Sequence, residues 1–190
     1  TNYNIPQNNR ILLFVGRIGQ EKNIEFLIRA FDQVQKKEPA TTLVLVGGGP
    51  QEQELKELVQ TLGIEEKVIF TGTLDKKHVI DCYLGSDLFV FASVTETQGL
   101  VIGEAKAAGL PVVAIDAFGV KEMVEHGRSG YLTPLNEGEF VDRILTLVRD
   151  HQLYSRMSTA AKEEAQEISA EACALRLVKA YQEIRHSHDV

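Results

Sequence analysis

Six short stretches of nearly unbroken apolarity recur along this 190-residue chain: ILLFVG (11–16), TLVLVG (42–47), VIFTG (68–72), DLFVFA (87–92), PVVAI (111–115) and, more weakly, GYLTP (130–134). A strand with one wet face alternates apolar and polar side chains. Runs that do not alternate belong to strands covered on both faces, as in a parallel sheet between helix layers. The segments between them carry helical period instead. Ile24, Leu27, Ile28, Phe31 and Val34 follow a 3–4 spacing, with Asn23 as the expected cap and Pro39 as the stop. Pro50 is expected to open a second helix with the stripe Leu55, Leu58, Val59 and Leu62, ended by Gly63. Asp75 is expected to cap a third bearing Val79, Ile80, Tyr83 and Leu84. Residues 99–108 read as a fourth, and the last fifty residues as three consecutive helices over about 137–150, 153–167 and 170–186. This order predicts a single doubly wound, Rossmann-like α/β domain over residues 1–190, with about six parallel strands and a helical C-terminal tail. Ligands of such sheets bind outside the carboxyl ends of the strands, so functional residues belong just after the apolar runs.

Composition narrows the function. Asp+Glu 27 against Lys+Arg 20 leaves a net charge of −7, which argues against a nucleic-acid partner. The longest uncharged run, residues 39–51, is too short and too rich in glycine and proline to span a membrane. The opening TNYNIPQNN lacks the basic-then-apolar pattern of a secretory signal. Cys82 and Cys173, far apart in helical segments, read as reduced core residues of a cytoplasmic protein. With no Trp and 7% aromatic residues, stacking surfaces for bases or exposed glycans are scarce.

Four post-strand loops concentrate the polar chemistry. In the first, Gly16 lets the chain turn off its strand, and Arg17 and Lys22 bracket a helix start. Two cations beside free helix N–H groups suit a diphosphate, although taken alone they fit solvated surface charges better. The second, Gly47-Gly48-Gly49-Pro50, allows either close approach of a ligand or simply tight turning. Its spacing does not match a dinucleotide fingerprint, which disfavours a nicotinamide enzyme, and the first loop is not a Walker sequence. The third, SVTETQGLVIGE (93–104), puts Glu96 in a loop and Glu104 about a turn into a helix. Gly99 and Leu100 offer unpaired N–H groups at that helix start, and Glu104 is suited to vicinal hydroxyls. The plain alternatives are a capping role for Glu96 and an exposed salt bridge for Glu104; the second fits less well, because Leu100, Val101, Ala105 and Ala108 suggest a largely buried helix. The fourth, Asp116-Ala117-Phe118-Gly119, borders the same edge and reads as an Asx turn with a structural glycine.

Together, Gly16-Arg17 with Lys22, LVLVGGGP, VIFTG, SVTETQGLVIGEAKAAGLPVVA and GYL resemble the retaining group 1 glycosyltransferases of GT-B architecture, from about Arg10 to Pro134. The spaced glutamates followed by A-x-A-A-G-x-P-V-V-A carry most of that resemblance. It implies a domain that binds a nucleotide-diphosphate sugar. Arg17 and Lys22 would hold the diphosphate, Glu96 the donor sugar and Glu104 the ribose hydroxyls. The amides of Gly99 and Leu100 would meet sugar and phosphate, and the backbone at Leu74 the base edge. Transfer with retained configuration would need no dedicated protein nucleophile, no metal and no other cofactor, because the basic pair stabilises the departing diphosphate.

Gln98 stands where many members carry an aromatic residue. The TETQG form resembles the subgroup that glycosylates diacylglycerol, which favours UDP-glucose as donor and a lipid or saccharide as acceptor. Members have two Rossmann-like halves, and the chain is expected to be the C-terminal one. The amino-terminal acceptor half is its missing partner, and any membrane contact of this otherwise cytoplasmic protein would be made by the full-length enzyme. The domain alone is then expected to be inactive. The stripe Ala174, Leu177, Val178, Tyr181 and Ile184 on the last helix is either partly uncovered or buried on its own domain. The alternatives to a transferase are an epimerase-like isomerase and a non-catalytic nucleotide-sugar-binding module.

Overall fold

The computed structural model describes Tyr3 and residues 5–188. Its order is β1 (Arg10–Val15), a 3-10 turn (Gln20–Lys22), α1 (Ile24–Lys37), β2 (Thr41–Val46), α2 (Glu52–Leu62), β3 (Val68–Gly72), α3 (Lys76–Leu84) and β4 (Leu88–Phe91). Then come α4 (Leu100–Ala107), β5 (Val112–Ile115), β6 (Gly130–Thr133), α5 (Glu137–Arg149), α6 (His151–Glu167) and α7 (Ala170–His188). The six strands form one parallel sheet in the order β3-β2-β1-β4-β5-β6. The apolar runs are strands because both faces are covered: every residue of β2, β4 and β5 is buried. Phe14 stacks on Phe91, and Phe91 on Phe89, with 6.0 Å between ring centroids in each pair. This aromatic row ties β1 to β4. Between these two strands the direction of winding reverses, and there the carboxyl edge of a doubly wound sheet opens into a crevice.

Several sequence expectations need correction. Pro50 does not open α2. The amide of Gln51 donates to the Ile18 carbonyl and that of Glu52 to Gly49, so a turn pinned to the first loop delays the helix to Glu52. Asn23 precedes α1 without a side-chain cap; it is the left-handed exit (φ 52°) of the 3-10 turn, a conformation asparagine tolerates. Asp75, by contrast, accepts from the His78 amide as expected. Of the α3 stripe only Tyr83 is buried, whereas Ile80 and Leu84 are 46% and 67% exposed. Helix α4 is half-open to solvent rather than buried, with Leu100 66% exposed and Glu104 exposed. Both cysteines are free thiols, yet Cys173 lies exposed on α7 rather than in the core. Leu177, Val178, Tyr181 and Ile184 are each more than half exposed, so the stripe on the last helix is uncovered.

Candidate functional site

The loops at the carboxyl edge form one continuous rim. The first is bound to the second, with the Ile18 amide donating to the Gly48 carbonyl. A Cβ on Gly47 would overlap the Gly16 carbonyl oxygen, and one on Gly49 that of Ile18. Protein backbone therefore fills the space that Gly47 and Gly49 leave, and tight turning explains these two; a Cβ on Gly48 would meet the Thr73 hydroxyl instead, at 3.1 Å. The first loop is also bound to the β4–α4 loop, where the buried Ser93 hydroxyl donates to the Glu21 carbonyl at 3.0 Å. On the far side Gly119 lies against Glu96 and Thr97 so closely that a side chain there would strike their backbone. The structural glycine of the fourth loop holds, but the Asx turn does not, because among the described residues the Asp116 side chain accepts no hydrogen bond.

This arrangement brings Lys22 and Glu96 together. Lys22 Nζ lies 2.7 Å from Glu96 Oε2, both side chains are largely shielded, and the ammonium sits 5.7 Å from the centre of the Phe91 ring. The hydrogen bond from Lys22 outweighs the cost of burial and holds the Glu96 carboxyl below its usual range; the Lys22 charge and the amides of Gly99 and Thr97 add to it. Glu96 thus pairs with a cation instead of simply capping the helix. Arg17, on the same loop, is 68% exposed, and among the described residues its one ion-pair partner is Glu21, at 4.0 Å. It is an exposed cation beside a shielded one.

Past the Lys22–Glu96 pair the chain enters α4 through Gly99, whose left-handed conformation (φ 60°) turns the loop into the helix without a side-chain cap. The Gly99 amide, expected to be unpaired, is taken by the Glu96 carboxylate; those of Leu100 and Val101 have no acceptor within the helix. Gln98 is exposed on this loop. Leu74 and Glu104 line the same cavity of about 540 Å³, with Lys76, Ile80, Tyr83 and Ala107 among its walls. The backbone N–H and carbonyl of Leu74 have no hydrogen-bond partner among the described residues. Glu104 has no ion-pair partner among them; its carboxylate instead accepts from the Tyr83 hydroxyl at 2.9 Å.

Every sequence-predicted residue therefore lies on this edge. Gly16, Arg17, Lys22, Glu96, Gln98 and Gly99 stand on the loops that follow β1 and β4, Leu74 and Glu104 share the cavity between α3 and α4, and Leu100 is the first residue of α4. Sequence reasoning missed two contributors. Ser93 stood inside the quoted motif with no stated role. Tyr83 was read only as part of an apolar stripe, and nothing in local spacing links it to a residue 21 positions away.

A family model described as "Glycosyl transferases group 1" matches residues 1–164. The chain is 32% identical over 166 residues to the N-acetyl-alpha-D-glucosaminyl L-malate synthase of Bacillus anthracis, covering 87% of this chain and 43% of that protein. It is 42% identical over 110 residues to the alpha-monoglucosyldiacylglycerol synthase of Streptococcus pneumoniae, covering 58% of this chain and 25% of that one. Among solved structures, Anabaena Alr3699/HepE in complex with UDP-glucose superposes with a TM-score of 0.81 at 31% identity, over 93% of this chain and 49% of its own. The chain spans less than half the length of each of these proteins.

Proposed function

The chain belongs to the group 1 glycosyltransferases of GT-B fold, and from that membership and the geometry above we propose that it is the donor-binding domain of a retaining hexosyltransferase. Its donor is a nucleotide-diphosphate sugar, UDP-glucose in preference to GDP-mannose. The acceptor is a lipid or saccharide, held by a second α/β domain outside this chain, without which the domain does not transfer. The protein is cytoplasmic, and any membrane contact is made by the rest of the enzyme. Among the described residues no helix is long and apolar enough to cross a membrane. The UDP-glucose complex of the Anabaena protein supports the donor, and the name of the pneumococcal relative supports glucose and a lipid acceptor. Neither the epimerase-like reading nor the non-catalytic module is favoured by these relatives.

The single observation that carries this reading is the shielded Lys22–Glu96 pair at the reversal of the sheet. A diphosphate entering the crevice offers Lys22 more negative charge than one carboxylate does. It takes over the ammonium, and Glu96 is released to accept from hydroxyls of the donor sugar. Arg17 swings in from solvent, and the free amides of Leu100 and Val101 at the positive end of α4 take further oxygens. Glu104 receives the ribose, and the unpaired backbone of Leu74 the base edge. When the glycosidic bond breaks, negative charge gathers on the departing diphosphate, where cations and dipoles already stand. Such preorganised stabilisation is commonly the largest protein contribution to a reaction of this kind, and the proposal assigns no metal. The acceptor oxygen bonds to the sugar carbon on the face the diphosphate leaves, and its proton passes to the departing oxygen, so configuration is retained.

Titration calorimetry with UDP and GDP on the folded chain tests the premise. The expected result is UDP binding with a Kd on the order of micromolar to millimolar, tighter than GDP. Absence of heat with either nucleotide, in a sample whose melting transition proves it folded, overturns the donor-site reading.

A further inference from the structure

Glu104 is an exposed residue on a half-exposed helix, a setting in which a glutamate normally samples several rotamers. Here it does not stand alone. Tyr83 reaches it from α3, and unlike its neighbours on that helix Tyr83 is only 3% exposed. Its ring is anchored against Phe89 of β4, 6.0 Å between centroids, in the middle of the sheet. The hydroxyl lies 2.9 Å from Glu104 Oε2 and 3.4 Å from the Val101 carbonyl, so its one proton goes to the closer and charged acceptor. Burial, and then the neighbouring carboxylate, push the phenol well above its usual range, so the hydroxyl keeps that proton. One oxygen of Glu104 is thereby tied to the core, and Oε1 has no partner among the described residues.

We infer that Tyr83 is a positioning residue for nucleotide binding: its buried hydroxyl fixes the Glu104 carboxylate so that the free oxygen is set to accept from the ribose hydroxyls. This rests on the assignment of Glu104 to the ribose made above. A carboxylate already held in one rotamer loses less conformational entropy when ligand arrives, which is the general source of affinity through preorganisation. The phenol touches no ligand itself; it acts through Glu104 alone.

The test compares UDP with 2′,3′-dideoxy-UDP, by calorimetry, on the full chain and its Tyr83→Phe and Glu104→Ala variants. Tyr83→Phe keeps the ring and removes only the hydroxyl. It should weaken UDP binding about three- to tenfold while leaving dideoxy-UDP unchanged, so that the preference for the ribose hydroxyls falls by the same factor. Glu104→Ala should abolish that preference. Because the two ligands are compared within each variant, a general loss of stability cancels from the ratio. If Tyr83→Phe weakens both ligands equally or neither, while Glu104→Ala removes the preference, the positioning role is refuted and the ribose assignment stands. If Glu104→Ala leaves the preference intact, the ribose assignment falls and this inference falls with it.

Discussion

Lys22 and Arg17 share a loop but not a situation, and their substitutions should differ accordingly. Removing Lys22 takes away a cation and also strands Glu96 as an unpaired carboxylate beside the diphosphate. Lys22→Ala is expected to cost about 1.5–3 kcal/mol of UDP affinity, with part recovered in the Lys22→Ala/Glu96→Ala double variant, as calorimetry would read. Arg17→Ala, which removes an exposed and barely tethered charge, should cost less, about 1 kcal/mol. Glu96 carries a second prediction. Its carboxyl is held below the ordinary value of 4.5, so the folded chain binds its proton less readily than the unfolded chain does. The stabilisation is therefore complete above that ordinary value and is lost as pH falls through the lower, folded value. Melting temperatures recorded between pH 7 and pH 3 should show the wild type and Glu96→Gln separated by a constant gap at the upper end that closes on the acid side. A gap independent of pH contradicts the pairing. At this scale the sequence disclosed which residues matter, since Arg17, Lys22, Glu96 and Glu104 all stand after strands. It did not disclose that Lys22 and Glu96 bind each other, because 74 positions separate them and only the pairing of β1 with β4 closes that distance.

At the scale of elements, the helix that carries Gly99, Leu100 and Glu104 is fixed from behind. Lys106 of α4 is 3% exposed, and its ammonium lies 2.6 Å from Glu164 Oε2 of α6 and 2.6 Å from the Met123 carbonyl. Breaking a buried pair by removing one partner leaves an uncompensated charge, so Lys106→Ala should lower the unfolding free energy by about 3–5 kcal/mol. Replacing both partners with apolar residues of similar size, Lys106→Met with Glu164→Leu, should restore most of that stability in urea titrations. If single and double variants lose the same amount, the pair is not what holds α4. Strand positions were legible to within a residue or two, because continuous apolar runs have few alternatives once helices flank them. Helix starts were less so. Pro50 and Asn23 both carry correct local preferences, but contacts of the first loop with the second and the geometry of the 3-10 turn overrode them.

For the whole molecule, α7 is the element least committed to the rest. Leu175, Leu177, Val178 and Tyr181 are all more than half exposed, and the family match ends at residue 164. Deleting residues 170–190 is expected to move the melting temperature by no more than about 2–4 °C, the effect of roughly 1 kcal/mol in a domain of this size, and to leave UDP affinity unchanged. A larger loss would assign α7 a structural part in the sheet's support. Strand and helix periodicity depends on residues near one another in the chain, so the sequence alone determined the doubly wound sheet, its six strands and the edge on which ligand chemistry gathers. Side-chain partnership across the fold depends on which elements the sheet order brings side by side. The Lys22–Glu96 pair, the filling of the glycine loop by backbone, the exposure of α4 and the hold of Tyr83 on Glu104 were therefore decided only by tertiary structure.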